Sequence, residues 1–308
     1  RHGERLDPSL VQVMSGATAG LSIVCQVLLD PGDEVLLPSP FWPLSRGIIA
    51  TKGAVPVQIP FYTRLGEPGF DPEGALEAAV TERTVALYVN TPNNPTGRVL
   101  DESTVDAMLR VAKRHDLWVF CDEAYEEIFF EDEPPSAIWK RPGIRDRAIA
   151  FHTLSKSFGL AGARIGFTHG PDTVMERVVG MQTFHTYCAP KPMQFGAIAA
   201  LREGGPWAAE GRELYRRAGN AAADALEVPR PKGGTFLFLD VSSRLRPGEA
   251  DCGSFLERCA DVGVLLTPGR SCGDDYAKWV RLCFTSQPQA RLEAALERLT
   301  PVFRVPAG

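Results

Sequence analysis

Lys156 has the sequence surroundings that point most clearly to chemistry. Ser155 and Ser157 flank it, a Gly-Leu-Ala-Gly turn begins at Gly159, and Arg164 lies eight residues beyond the lysine. Desolvation and neighbouring cations lower the pKa of a lysine until its neutral amine attacks carbonyls, and the same amine then carries protons. The segment therefore predicts a Schiff-base lysine. The alternative is a solvated surface lysine near a helix start, which an isolated serine–lysine pair would favour.

Two further polar segments each follow an apolar run that predicts a buried strand. Residues 90–97, Asn-Thr-Pro-Asn-Asn-Pro-Thr-Gly, follow the run 85–89, and Asp122 follows the run 117–121. Open α/β sheets bind ligands at the carboxyl ends of their strands, where an Asn amide can reach into a site. A carboxylate at such a strand end is costly to desolvate unless a cation or a strong donor faces it. Ordinary turn formation is the alternative for the first segment, and N-capping of a helix is the alternative for Asp122.

A fourth segment predicts an anion-binding site. Gly16, Ala17, Thr18 and Gly20 are small residues ahead of the apolar, helix-like run 21–29. Small residues at a helix start leave backbone N–H groups exposed, and the helix dipole adds to their attraction for an anion. The alternative is plain helix capping, since Gly-x-Thr before a helix is also a capping sequence.

In their order and spacing, these four segments resemble those of the class I and II aminotransferases, which are pyridoxal 5'-phosphate (PLP) enzymes of the aspartate aminotransferase fold. The resemblance extends from about Val11 to the C-terminus. It implies that PLP is the cofactor, that Lys156 carries it as a Schiff base, and that Asp122 pairs with its pyridine nitrogen. The catalytic residues that the resemblance implies are Lys156, Asp122 and Tyr125.

The resemblance implies further contacts with the cofactor and the substrate. The residues that would bind the phosphate are Gly16, Ala17, Thr18, Thr153 and Arg164, with Thr153 in place of the more usual Ser. Asn94 and Tyr125 would hold the phenolate oxygen of the ring, and Trp42 would stack on the ring. Arg281, in the apolar run 279–284, matches the arginine that grips the substrate α-carboxylate, for which its planar fork is suited. Asn94 is also an expected substrate contact.

The implied reaction is ping-pong transamination from an L-amino acid to a 2-oxo acid, with Lys156 removing the Cα proton and Asp122 keeping the ring nitrogen protonated. Relatives specialised for aspartate often have a second arginine between the cofactor lysine and the long interdomain helix. Residues 178–201 contain no Arg and instead offer Phe184 and Tyr187, which predicts an amino donor with an uncharged side chain. Alternatively, this loop faces a partner subunit and says nothing about specificity.

Two other classes of function are compatible with the same motifs. Lyases and synthases of this fold, such as carbon–sulfur β-lyases, share the lysine chemistry and differ in what the carbanion does next. In addition, bacterial transcriptional regulators fuse a DNA-binding winged helix to an aminotransferase-like domain that binds PLP as a ligand. The acidic composition and the presence of Arg281 favour an enzyme over a regulator.

Alternating strand and helix patterns predict the elements that must position these residues. Strands are expected at 34–37, 55–58, 85–89, 118–121, 148–151 and 165–168, and helices at 71–80 and 102–115. This alternation favours an α/β fold, a mostly parallel sheet with helices on both faces, which is also what the resemblance to PLP fold type I implies. Beyond it, a smaller α+β C-terminal domain is predicted from a helix over 207–226, strands at 234–239 and 280–284, and a helix over 288–299.

The domain organisation and the assembly follow as expectations. We expect a large cofactor-binding domain over residues 1–206, and an interdomain helix with a small C-terminal domain over 207–308, since 308 residues with 44% hydrophobic content suit about two domains. The resemblance implies several tens of residues ahead of Arg1, an N-terminal arm against a partner subunit that is missing from this chain. A homodimer is expected, with contact surface at residues 41–44 and 187–190.

Composition argues against several other classes of partner. A net charge of -5 does not suit a nucleic-acid surface, which needs clustered Lys and Arg. No apolar run approaches the roughly 20 residues of a membrane helix, and the first residues show no secretory signal. The 7 cysteines are scattered without a Cys-x-x-Cys pair, which is typical of core residues in a reducing cytoplasm. The 5 histidines lack ligand spacing, so no metal is expected.

Overall fold

The apolar runs of the first half of the chain form the strands of one large sheet. A computed structural model describes residues 3–304. The strands of the large sheet are β1 (Val11–Met14), β2 (Glu34–Ser39), β3 (Val55–Pro60), β4 (Thr84–Asn90), β5 (Trp118–Asp122), β6 (Ala148–Thr153) and β7 (Gly166–His169). Within the described residues this sheet has seven strands in the order β1-β7-β6-β5-β4-β2-β3. The pairs from β3 to β6 are parallel, and β7 runs antiparallel to both β6 and β1.

Helices cover both faces of this sheet. They are α1 (Ala17–Leu28), α2 (Pro43–Ala50), α3 (Pro72–Glu77), α4 (Glu102–Arg114), α5 (Leu154–Ser157), α6 (Asp172–His185) and α7 (Lys191–Glu203). The next helix along the chain, α8 (Gly205–Leu226), packs instead against the small C-terminal sheet. Alternate residues of a strand point to opposite faces. In β4, Leu87 and Val89 pack into a core with α4, whereas Ala86 and Tyr88 pack into a second core with α1. The predicted α/β architecture is therefore confirmed.

The C-terminal third of the chain forms a second, smaller sheet. Its elements are β8 (Phe236–Asp240), α9 (Gly253–Asp261), β9 (Thr267–Pro268), β10 (Trp279–Cys283) and α10 (Gln289–Arg304). In the described part of the chain, β10 lies between β8 and β9 and is antiparallel to both. Leu237, Val280 and Phe284 contribute to a core that joins this sheet to α8 and α10. The predicted small α+β unit is thus present.

The register of the parallel strands sets where a site can form. Asn90 at the end of β4 pairs with Asp122 at the end of β5, which in turn pairs with Phe151 in β6. Local capping residues fix where the connecting helices begin. The Asp101 carboxylate accepts a hydrogen bond of 2.7 Å from the backbone N–H of Thr104 and caps α4. The carboxyl ends of three neighbouring strands consequently meet at one edge of the sheet.

Several details differ from the sequence predictions. The helix expected at 21–29 begins at Ala17, so Gly16 is its N-cap and Thr18 lies in its first turn. The strand pattern missed β1, and the helix pattern missed α2, α6, α7 and α9. The expectation that the cysteines fill the core is wrong for Cys188, which is exposed, and only partly right for Cys283. None of the helices between residues 3 and 304 has the length and hydropathy that crossing a membrane requires.

Candidate active site

A cavity of about 290 Å³ opens at the carboxyl edge of β4, β5 and β6. The first turn of α1 and strand β10 of the small sheet also border it. The residues that line it are Ala17, Thr18, Leu21, Trp42, Asn94, Asp122, Ala124, Tyr125, Phe151, Thr153, Ser155, Lys156, Ala161, Arg164, Phe236 and Arg281. The structure therefore brings together all the predicted site residues except Gly16, which lies directly before Ala17.

Lys156 projects into this cavity from α5, the short helix that follows β6. Thr153 caps α5, and its hydroxyl accepts a hydrogen bond of 3.2 Å from the backbone N–H of Ser155. The Lys156 Nζ atom lies 5.9 Å from the centre of the Tyr125 ring. The expected desolvation of this lysine is wrong for this structure, because its side chain is exposed in a cavity open to solvent. The amine is accordingly accessible to a carbonyl compound that enters the cavity.

Asp122 ends β5 and has both carboxylate oxygens bonded within the protein. Its Oδ1 accepts a hydrogen bond of 3.1 Å from the backbone N–H of Ala124, and its Oδ2 accepts one from the Tyr88 hydroxyl. Burial raises the pKa of Asp122, while the bonds from Tyr88 and Ala124 and the charges of His152 and Lys156 lower it. A turn, and not a helix, follows Asp122, so N-capping of a helix does not explain this residue.

The start of α1 forms a cup of backbone donors. Gly16 has a φ of 85°, a conformation that favours glycine, and no side chain caps the helix that begins after it. A Cβ atom at Gly16 would lie 2.8 Å from the Arg164 Nη2 atom. The Arg164 guanidinium is held by the carbonyl oxygens of Ala161 at 2.8 Å and Ser15 at 3.3 Å. Free N–H groups, a helix dipole and a guanidinium thus converge where an anion would be stabilised.

Asn94 links residues from both sheets. Its Oδ1 accepts a hydrogen bond of 3.1 Å from Arg281 Nη1, and its Nδ2 donates one of 3.5 Å to the Tyr125 hydroxyl. The Asn90 side chain fixes the backbone of Asn94 by accepting a 2.8 Å bond from its N–H group. Burial, together with the charge of Asp122, raises the pKa of Tyr125, so the phenol stays protonated. Asn94 therefore connects the two groups expected to contact the cofactor and the substrate.

Arg281 reaches the cavity from the middle of β10. Its guanidinium lies 4.4 Å from the centre of the Phe236 ring, and its Nη2 atom is 3.5 Å from the Thr267 hydroxyl. Its buried Nε atom has no hydrogen-bond partner among the described residues. A buried donor of this kind normally has a partner. An incoming carboxylate would supply one, because a guanidinium can bind it through two parallel bonds.

Tyr88, Ser155 and Phe236 belong to the site and were not predicted as site residues. Phe236 lines the cavity, and its ring packs against the Arg281 guanidinium. Ser155 accepts a 2.9 Å hydrogen bond from the Thr153 hydroxyl. Ser155 could have been predicted from the sequence, since it directly precedes Lys156. For Tyr88 and Phe236 the sequence predicted only that they lie in strands. Their contacts depend on which strands pair, which the sequence pattern does not specify.

The segment expected to read the substrate lies elsewhere. Of the residues between 3 and 304 that line the cavity, none falls within 178–201. Phe184 is 87% exposed and Tyr187 is 78% exposed. This placement favours the alternative in which the loop faces a partner. The contact surface expected at residues 41–44 and 187–190 needs correction, because Phe41 and Ala189 are buried, whereas Leu44 and Tyr187 are exposed.

A buried polar cluster lies beside the site. Glu123, Glu126 and His152 bring one ligand atom each within 4.8 Å of the others. His152 Nδ1 is 2.8 Å from a Glu126 oxygen, and His152 Nε2 is 3.1 Å from His169 Nε2. These distances fit hydrogen bonds among the side chains themselves. The absence of a metal stays a prediction.

The residues around the cavity are chemically suited to PLP. The uncapped start of α1 with Arg164 suits a phosphate, and the buried carboxylate of Asp122 suits a pyridinium nitrogen. The amide of Asn94 and the phenol of Tyr125 suit an oxygen acceptor on the ring. Lys156 supplies the only amine among the described residues that line the cavity.

Comparisons with known proteins identify the family and the fold. Residues 1–299 match the family model for class I and II aminotransferases. The arginine–pyruvate transaminase of Pseudomonas aeruginosa is 33% identical over 290 residues, which make up 92% of this chain and 72% of that protein. The aspartate/prephenate aminotransferase of Thermus thermophilus is 32% identical over 319 residues, covering 98% of this chain and 77% of that protein. The solved aromatic aminotransferase from Pyrococcus horikoshii has a TM-score of 0.90 and 28% identity, covering 98% of this chain and 82% of its own.

Proposed function

The chain belongs to the class I and II aminotransferases, and on that premise we propose that it uses PLP bound at Lys156 to move an amino group from an L-amino acid to a 2-oxo acid. The observation that carries the proposal is one cavity in which Lys156, Asp122, Arg281 and the start of α1 converge. Each of these groups suits one part of the cofactor or the substrate. The family and the architecture make the protein an enzyme of PLP fold type I.

The cavity offers a contact for every polar group of PLP. We assign the phosphate to Gly16, Ala17, Thr18, Thr153 and Arg164. Asp122 would face the pyridine nitrogen, Asn94 and Tyr125 would hold the phenolate oxygen, and Trp42 would stack on the ring. Lys156 would join the cofactor through a Schiff base. When bound, PLP supplies an acceptor for the electron pair left at Cα after proton removal.

The chain's own residues would then orient the substrate and move its protons. Arg281 grips the α-carboxylate and thereby sets which Cα bond stands perpendicular to the ring. Lys156 would take the Cα proton on its Nζ atom and would deliver it again when the proton is returned. Asp122 holds a proton at the pyridine nitrogen throughout. Asn94 bonds both Arg281 and Tyr125. It would therefore hold the group that binds the substrate carboxylate at a fixed distance from the group that contacts the cofactor ring.

The charges in the cavity support an uncharged donor side chain. The cationic residues among the described cavity lining are Lys156, Arg164 and Arg281, and the proposal gives each of them a role. None remains to neutralise a second carboxylate of the donor. The aromatic rings of Trp42 and Phe236 favour an apolar side chain instead. Relatives differ in substrate, since their names include arginine, aspartate and aromatic amino acids.

We further propose a homodimer and a division of the chain into two domains. Exposed apolar side chains on α6, α7 and the start of α8 support the dimer. Separate hydrophobic cores on either side of the start of α8 support a large domain over 1–206 and a smaller unit over 207–308. All the cysteines lie in the described residues as free thiols, which supports a reducing compartment such as the cytoplasm.

A panel of amino donors tests the proposed reaction. Alanine, phenylalanine, aspartate and arginine are each offered with pyruvate or 2-oxoglutarate, and the absorbance of the cofactor and the new amino acid are measured. Transamination with phenylalanine or alanine is expected to exceed that with aspartate. Cystathionine, which carries a sulfur leaving group on Cβ, is added to the panel, and its conversion to ammonia and pyruvate without an oxo-acid acceptor would instead identify a lyase. A preference for aspartate would contradict the uncharged-donor proposal and leave the transamination proposal intact.

A further inference from the structure

Tyr88 occupies an unusual position for a buried tyrosine in the middle of a sheet. It lies in β4, two residues before Asn90, and only 2% of its surface is exposed. Its ring packs among the apolar residues between the sheet and α1, where a phenylalanine would fill the same space. Its hydroxyl donates a hydrogen bond to Asp122 Oδ2. A buried hydroxyl is costly unless it is bonded, so this contact explains why a phenol is accommodated here.

A second buried tyrosine shows that the two hydroxyls serve different groups. Tyr62 is 1% exposed, and its hydroxyl bonds the backbone oxygen and N–H group of Asn90 at 3.0 and 3.1 Å. Tyr62 therefore holds the backbone at the end of β4. Tyr88 bonds the Asp122 carboxylate itself. The two residues are matched in burial and differ in what their hydroxyls contact.

We infer that Tyr88 is a positioning residue that acts through Asp122: its hydroxyl keeps that carboxylate ionised and aimed at the pyridine nitrogen of the cofactor. The inference rests on the proposed PLP site. With Ala124 N–H on Oδ1 and Tyr88 on Oδ2, rotation of the carboxylate would break one of two hydrogen bonds. The fixed orientation leaves the remaining lone pairs for the cofactor.

The charge balance around Asp122 supports this role. Burial raises the pKa of Asp122, and the Tyr88 bond is the first of the contacts that oppose the rise. Burial and the nearby Asp122 charge raise the pKa of Tyr88 well above its usual value, so Tyr88 remains a donor. A carboxylate that accepts two hydrogen bonds is less basic than one that accepts a single bond. The proton shared between Asp122 and the ring nitrogen consequently stays on the nitrogen.

Tyr88→Phe and Tyr62→Phe form a matched pair that tests the inference. Each removes one buried hydroxyl, but only Tyr88→Phe removes a donor from Asp122. Both proteins are loaded with PLP labelled with ¹⁵N at the ring, and the ¹⁵N chemical shift is measured at one fixed pH. In Tyr88→Phe the shift is expected to move toward the value of a neutral pyridine, whereas in Tyr62→Phe it stays at the wild-type value. The amino-donor half-reaction is expected to slow roughly tenfold in Tyr88→Phe, the loss of one hydrogen bond to a charged group.

A ¹⁵N shift in Tyr88→Phe equal to that of the wild type would overturn the inference, even if activity fell. Replacing Tyr88 with 3-fluorotyrosine covers the case in which the Phe variant does not fold, since it keeps the shape and makes the hydroxyl a stronger donor. The ¹⁵N shift is then expected to move toward the protonated value, and a move in the other direction contradicts the inference. Failure of the wild-type protein to bind PLP would instead refute the proposed function.

Discussion

The side chains around the cavity differ in hydrogen bonding and solvent exposure from those on the surface formed by α6, α7 and the start of α8. Around the cavity, polar groups are bonded to one another within the chain, as in the link from Arg281 through Asn94 to Tyr125. On the helical surface, large apolar side chains are open to solvent. They include Phe184, Tyr187, Phe195, Leu201 and Trp207.

This difference separates side chains that are bonded within the chain from side chains that the chain leaves open to solvent. The bonded network lies at strand ends that are fixed by sheet register, so the cavity takes shape as the chain folds. The exposed apolar surface contributes little to folding, because its side chains are not removed from water. Exposed apolar side chains that form a contiguous patch mark association sites, and this is the basis of the dimer proposed for this surface. Substitutions in the cavity should therefore change chemistry, and substitutions on the surface should change assembly.

Removal of the lysine should have the largest effect on the cavity side. Lys156→Ala is expected to abolish covalent attachment of PLP, because no other described residue that lines the cavity has an amine to form the Schiff base. Borohydride reduction followed by mass measurement detects the attachment. Lys156→Arg keeps the charge and serves as the control, and it should fail to trap cofactor as well. Cofactor trapped on Lys156→Ala would show that another amine carries it.

The next largest effect is expected at Asp122. Asp122→Asn should retain PLP but slow Cα proton removal about a hundredfold to a thousandfold, since a neutral amide cannot balance a pyridinium charge. Stopped-flow measurement of the half-reaction reports this rate. Asp101→Asn alters a carboxylate that only caps α4, and Asn is also a good N-cap. That control should keep the wild-type rate, and near-normal turnover in Asp122→Asn would contradict the proposed pairing.

A smaller effect is expected at the substrate grip. Arg281→Lys keeps the charge and loses the two parallel hydrogen bonds, which should lower kcat/KM by roughly ten- to a hundredfold, or ~1.5–3 kcal/mol. The loss should be similar for every amino donor, because all share the α-carboxylate. Arg258→Lys provides the control, since Arg258 pairs with Glu249 away from the cavity lining. A loss confined to acidic donors would mean that Arg281 binds the side-chain carboxylate of the donor and not its α-carboxylate.

The smallest effect on the folded chain is expected on the helical surface. Phe184→Glu should weaken the proposed dimer while changing the free energy of unfolding of the single chain by only about 0.5 kcal/mol, as for most surface substitutions. Sedimentation velocity measures the assembly. Leu265→Glu is the control, because Leu265 is as exposed as Phe184, at 87%, and lies on the small unit. A fully active wild-type monomer would remove the dimer proposal.

The sequence predicted those parts of the site that lie in continuous motifs. Asp122 ends a strand that the sequence predicted, Lys156 follows another such strand by three residues, and both line the same cavity. Tyr88 was missed because its contact with Asp122 depends on the pairing of β4 with β5, which no local pattern specifies. Helix α6 was missed for a different reason. It has buried Val174 and exposed Phe184, so its apolar residues do not mark a single face.

The bond between Arg281 and Asn94 has a mechanical consequence. Arg281 lies in the small sheet, whereas Asn94 follows a strand of the large sheet. The hydrogen bond between them therefore depends on how the two sheets lie relative to each other. A carboxylate held by Arg281 would be positioned by the angle between the two sheets as much as by any side chain. Selectivity for a donor can then be altered by residues far from the cavity, wherever they change that angle.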